Sequence, residues 1–200
     1  MTPPAPPRRS LSHPAHRIAA GTLCVLAMVA SASTAWSESH RYVIQPEASE
    51  VAFRATSRFM NADGRFHRLG GEVTADPADL ATARILLSIE TNSIDTGIGL
   101  RDRHLRSADF FDVERFPTIA FESVRVEGSG QHVTVAGRLT MRGVTHEIAV
   151  PVDVTMTAVA LVATGELVLN RGQYGMNYNS VLNPIGNEVR VTFTFRARAS

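Results

Sequence analysis

A period of two runs through the chain from Arg41 to its end. In residues 189–196, Val189, Val191, Phe193 and Phe195 fall on one side and Arg190, Thr192, Thr194 and Arg196 on the other. A pleated strand sends alternate side chains to opposite faces in this way. Ile148, Val150, Val152, Val154 and Met156 alternate with Ala149, Pro151, Asp153 and Thr155, and Val133, Val135, Leu139 and Met141 alternate with Thr134, Arg138 and Thr140. Ile119 and Phe121 face away from Glu122, and Val51 and Phe53 away from Glu50 and Arg54. Runs bounded by turn formers predict strands at 50–58, 64–75, 83–93, 117–127, 131–142, 144–157, 159–170 and 188–198, with a lead-in at 41–45. Pro151, inside one run, marks an edge or a bulge. Glu127–Gln131 and Arg142-Gly143 are short links of the antiparallel kind. Thr157-Ala158 carries no turn former and is the weakest boundary. The one helical candidate covers 99–107. Eight consecutive antiparallel strands can close a barrel that holds one small ligand, or stack as a two-sheet sandwich with a filled core. Alternation alone does not separate the two.

Composition narrows the chemistry. The 200 residues, 44% hydrophobic, suffice for one domain with a core. A net charge of +1 offers no global field for nucleic acid. All 20 basic residues are Arg, so a lysine Schiff base and a P-loop lysine are excluded. The single cysteine, Cys24, excludes an internal disulfide and multi-cysteine zinc sites.

Residues 1–35 have the order of a secretory signal peptide. Arg8, Arg9, His13, His16 and Arg17 precede an apolar run from Ile18 to Ala30, then the small residues Ser31 to Ala35, and no acid occurs before Glu38. The run is short for a membrane span, which needs roughly 20 residues. The expected cut follows Ala35, with Ala32 and Ser37 as alternatives. It leaves residues 36–200 as a single periplasmic domain with 17 Arg against 19 acids and no cysteine.

Five histidines remain after that cut: His40, His67, His104, His132 and His146. None forms an i, i+2 or i, i+4 pair, and no metal site is expected. The densest polar cluster is Arg101-Asp102-Arg103-His104-Leu105-Arg106, followed by Asp109 and Asp112. One reading makes it a contact for an anionic head group through Arg101, Arg103 and His104, since guanidinium forks fit phosphate oxygens. The other makes it a helix whose charges pair locally, with Arg101 or Asp102 reaching i+4. Asp102 with His104 would suit acid–base work, although no nucleophile elbow accompanies them. All nine Phe lie beyond residue 50, where an inward face would either fill a core or grease an apolar cavity.

The segments Ser93–Gly97, Arg101–Val113 and Phe116–Ser123 strongly resemble the YceI family, exported bacterial proteins regarded as polyisoprenoid-binding. The likeness continues through Gly137–Thr145, Leu169–Tyr178 and Gly186–Val189, covering essentially the whole chain after the signal. Ala48 departs from it, standing where the family usually has histidine. The resemblance implies an all-β, extended eight-stranded antiparallel lipocalin-like barrel with one short helix near 99–107, often dimeric. It implies a long apolar ligand, such as a polyprenyl phosphate or isoprenoid quinone, and binding or transport rather than catalysis. On that footing the tunnel lining is expected from Phe53, Phe66, Leu87, Ile89, Phe110, Ile119, Phe121, Leu139, Met141, Val191, Phe193 and Phe195. Arg101, Arg103 and His104 would stand near a mouth. No cofactor, nucleic acid or membrane span after cleavage is expected, and a homodimer is an option. The rivals are an enzyme using Asp102 and His104 on a bound lipid, and a stress or interaction protein with a filled barrel.

Overall fold

Eleven strands join in one antiparallel sheet that curls until its last strand meets its first. The computed structural model describes residues 1–2 and 39–200. The signal segment, the cut after Ala35 with its alternatives, and Cys24 lie outside the described residues. The elements are β1 (His40–Ile44), β2 (Glu50–Ser57), β3 (Ala62–Phe66), β4 (Leu69–Asp76), β5 (Asp79–Glu90), β6 (Ile94–Asp95), α1 (Gly99–Arg106), β7 (Thr118–Ser129), β8 (His132–Met141), β9 (Val144–Met156), β10 (Ala160–Asn170) and β11 (Ile185–Ala199). The order β1-β4-β5-β7-β8-β9-β10-β11, with β11 returning to β1, is a ring of eight. The sheet is therefore a closed barrel, not a sandwich. β2 continues β1 along the flank of β11 after a 3-10 turn at Pro46–Ala48, and β3 continues the flank of β4 beside β2. The expected strand 64–75 is thus two pieces, broken at His67-Arg68.

Three local features depart from simple alternation. β9 is paired with β8 along its length but with β10 only from Val152 to Met156, so the second ladder stops just where Pro151 has no N–H to give. Pro151 therefore marks an edge along half a strand rather than a bulge. A register shift between Ser123 and Arg125 puts a bulge in β7. It turns the chain over, so that Ile119 and Phe121 line the interior before it and Val126 after it. At Thr157 the side chain does the work of a turn former: its Oγ1 accepts from the Ala160 N–H at 3.1 Å.

Outside, the barrel carries cross-strand ion pairs such as Arg41–Glu72, Arg138–Glu122 and Arg190–Glu166. Each is exposed and worth little to stability. The ends differ. One carries the short links at 77–78, 130–131 and 157–159, and the other the connections 58–61, 91–117, 142–143 and 171–184.

A buried tyrosine stands towards each end. The Tyr42 hydroxyl donates to the Thr157 carbonyl at 2.7 Å, whereas the buried Tyr174 hydroxyl has no hydrogen-bond partner among the described residues. Tyr42→Phe should cost about 1–2 kcal/mol, because it orphans a carbonyl, and Tyr174→Phe should be neutral or stabilising. Burial raises both phenol pKa values above about 10, with Asp76 adding to the effect at Tyr42. The unfolded chain therefore ionises first, and stability present below pH 10 falls as pH rises towards the folded values. Urea midpoints of the two variants at pH 8 and pH 11 check both statements; equal losses in the two variants at pH 8 would contradict the first.

Candidate functional site

The inner face of the barrel is both its hydrophobic core and the wall of a cavity of about 630 Å³. That volume lies within the range of ligand pockets. Each of the twelve residues expected to line a tunnel faces it: Phe53, Phe66, Leu87, Ile89, Phe110, Ile119, Phe121, Leu139, Met141, Val191, Phe193 and Phe195. Ile85 of β5 and the run Ile148, Val150, Val152, Val154 and Met156 of β9 complete much of the wall. The strands are long: the 12 residues of β5 rise about 40 Å along the strand. The cavity lining follows β5 from Leu80 to Ile89, so the cavity extends along the strands.

Three glycines let phenylalanine rings lie against the wall. A Cβ on Gly64 would come within 2.5 Å of the Phe53 ring, on Gly137 within 2.4 Å of Phe121, and on Gly165 within 2.5 Å of Phe193. Phe53 with Gly64, and Phe193 with Gly165, are directly opposed across their ladders. Any side chain at these glycines would drive a ring towards the lumen.

Every polar lining residue comes from the end with long connections: Arg101, His104, Arg171, Tyr178, Ser180 and Asn183. Helix α1 is fixed there by Asp102, whose buried carboxylate accepts from the Thr96 N–H at 2.9 Å and the Thr96 hydroxyl at 2.5 Å. Arg101 donates to the Thr96 hydroxyl and carbonyl at 2.8 and 3.0 Å, and Arg106 to the carbonyls of Asn92 and Ile94. The expected i+4 pairing is thus replaced. The helix is docked, and its charges satisfy backbone groups of Asn92, Ile94 and Thr96. His104 bonds Asp109 at 2.9 Å and stands edge-on to the rings of Phe110 and Tyr178. Asp102 and His104 are therefore engaged with different partners and form no acid–base pair. Arg103 is exposed and does not face the cavity, unlike Arg101 and His104. Among the described residues no three His, Cys, Asp or Glu come together as metal ligands.

Arg171 was not singled out from the sequence, yet it is the central group of this end. It is 5% exposed. Its guanidinium donates to four carbonyls: Gly186 at 3.0 Å, Met176 at 2.5 Å, Tyr178 at 2.8 Å and Ile185 at 3.1 Å. Burial lowers its pKa from the ordinary arginine value, but such a group stays protonated. A buried positive charge held by carbonyl dipoles thus faces the polar end of an apolar cavity. Its sequence signal was its place in Leu169–Tyr178, a segment that resembles the family and begins where a strand pattern stops.

A family model described as the YceI-like domain matches residues 42–197. The chain belongs to the YceI family. A UPF0312 protein of Pseudomonas aeruginosa is 39% identical over 87 residues, 44% of this chain and 46% of that protein. The match thus spans about half the length of such relatives. A UPF0312 protein of Pectobacterium carotovorum is 30% identical over 128 residues, 64% of this chain and 67% of its own. Among solved structures, Burkholderia cenocepacia BcnA superposes with a TM-score of 0.71 at 22% identity, covering 76% of this chain and 98% of that one. A polyisoprenoid binding domain from Saccharophagus degradans gives 0.65 at 20% identity, covering 80% and 98%. The YceI barrel is thereby established as the fold, with α1 the one α-helix among the described residues.

Proposed function

We propose that this YceI-family barrel is an exported, non-catalytic protein that sequesters or ferries a long apolar lipid of isoprenoid type. The observation that carries the reading is the cavity: a long apolar wall that ends at one polar, positively charged end. Each methylene moved from water into such a wall is worth roughly 0.8 kcal/mol before association costs. Several isoprene units therefore give useful affinity without a strong head-group contact. Arg101, Arg171 and His104 would stand by the head group, for which a phosphate or quinone oxygen is suitable chemistry. The twelve expected wall residues would hold the chain. The likeness to a polyisoprenoid binding domain supports the same ligand class. Residues 1–35 support export to the periplasm by their basic start and short apolar run.

One experiment tests both parts. The protein is purified from a periplasmic fraction and its mass is measured under native and denaturing conditions. The expected result is a polypeptide lacking residues 1–35 that carries one lipid adduct in the native spectrum and none after denaturation. An intact Met1 would overturn export, and an adduct-free spectrum that stays so after incubation with polyprenyl phosphate and with isoprenoid quinone would overturn the lipid reading.

A further inference from the structure

Five large apolar side chains stand in solvent around the polar mouth, between 62% and 95% exposed: Phe59, Met60, Leu100, Val181 and Leu182. They belong to three segments that the fold stitches together. The Phe59 N–H donates to Asn183 Oδ1 at 3.0 Å, the Arg58 N–H to the Pro184 carbonyl at 3.2 Å, and Asn183 Nδ2 to Ser57 Oγ at 3.1 Å. Arg101 reaches the Asn61 carbonyl at 3.4 Å and ties α1 to the same tip. Leu100, Ala62, Ser180 and Asn183 from these segments also line the cavity, so the rim is continuous with the interior. Scattered exposed apolar residues need no explanation, but a group of this size at the mouth of an apolar cavity marks an interaction site.

Charge selects the occupant. The connections at this end, 58–61, 91–117, 142–143 and 171–184, carry seven arginines, Arg58, Arg101, Arg103, Arg106, Arg115, Arg142 and Arg171, against five acids, Asp95, Asp102, Asp109, Asp112 and Glu114. Asp102, Asp112 and Arg171 are buried, which leaves six arginines against three acids. The rim is therefore apolar and net positive. A second copy meeting it through a two-fold axis would set the same arginines against each other. An anionic bilayer surface offers both what the apolar tips and what the arginines require.

Resting on the lipid-carrier reading, we propose that the rim formed by Phe59, Met60, Leu100, Val181 and Leu182, with Arg58 beside them, docks on an anionic lipid surface. The ligand would then pass between bilayer and barrel without crossing water. The tips enter the head-group region, and the arginines lie at the level of the phosphates. The cavity mouth then opens directly onto acyl chains.

The test is flotation of protein expressed from the full 200-residue chain with phosphatidylglycerol–phosphatidylethanolamine vesicles. Phosphatidylcholine vesicles serve as the neutral control. Lipid occupancy of the same preparations is read by native mass spectrometry. The parent is expected to float with the anionic vesicles at low salt and to be released at high salt. Phe59→Ser combined with Leu182→Ser should weaken flotation at least tenfold, and Arg58→Ser about fivefold, as expected for one basic residue at such a surface. None of these side chains lines the cavity, so occupancy at equilibrium, read after prolonged incubation with polyprenyl phosphate, should stay at the parent's level. A parent that floats with neither vesicle, or variants that float as it does, would overturn docking. So would a parent dimer that Phe59→Ser with Leu182→Ser splits, because the rim would then belong to a second copy. Vesicle binding by a barrel that never carries lipid would leave docking intact and sink the carrier reading instead.

Discussion

Phe193→Asp should strip lipid from the barrel while Thr192→Asp leaves it in place. The two residues are neighbours on β11, one facing the cavity and the other solvent. Phe193 lies against Gly165 across the ladder, and no polar side chain comes from that part of the wall. An aspartate there loses the ring, worth about 2–3 kcal/mol of apolar burial. It also places a carboxylate where an unpaired charge is costly. Water drawn in to solvate it would occupy the path of an apolar chain. Occupancy after purification should fall at least tenfold, against less than about twofold for Thr192→Asp. Circular dichroism and a monodisperse column peak establish that the variant is folded, so the loss can be read as binding. Equal occupancy in the two variants would mean that the ligand does not run along this wall.

Arg171→Ala should be the most destabilising single change in the polar end. It removes one side chain and orphans the four carbonyls of Gly186, Met176, Tyr178 and Ile185. An unsatisfied buried acceptor costs about 1–3 kcal/mol, and partial relaxation of segment 176–185 gives an expected net loss of about 3–5 kcal/mol. For a domain of this size that lowers Tm by about 10 °C or more. Arg171→Lys should recover only part, because an ammonium has three donors and no planar fork to span carbonyls on both sides. An Arg171→Ala protein that melts within about 2 °C of the parent would show that segment 176–185 holds itself.

What the sequence made legible was whatever follows from period two. The faces of β8, β9 and β11 could be read directly, because a residue's side of the sheet depends only on its position along the strand. The Thr157 turn was hard to place because a threonine hydroxyl, not glycine or proline, closes it. The bulge between Ser123 and Arg125 leaves no mark in composition. It shows only when Val126 is found on the same side as Phe121. In the site, apolar wall residues were accessible and polar ones less so. An inward Phe follows from alternation, whereas Arg171 depends on where an irregular segment of fourteen residues, 171–184, returns to it. Charges on α1 misled for the same reason: helix periodicity supplies i+4 partners, but the groups that Asp102 and Arg106 satisfy lie outside the helix.

The ring of eight closes through the pairing of Tyr42, Val43 and Ile44 with Ala199, Arg198 and Ala197. Arg41 and Ser200 are 159 positions apart, yet the Ser200 N–H reaches the Arg41 carbonyl at 3.0 Å. Apart from that seam and the contacts of β2 and β3, the staves of the barrel pair with near neighbours in sequence and can form as the chain lengthens. The clasp cannot, because its second half is made last. Folding should therefore be limited by one long loop closure, with a rate in the millisecond-to-second range of topologies dominated by distant contacts. Until β11 arrives, β1 and β10 each present a bare edge and the greasy lumen lies open as one face of a curved sheet. A chain passing through a membrane pore from its N-terminus would stay in that state until its final residues emerged.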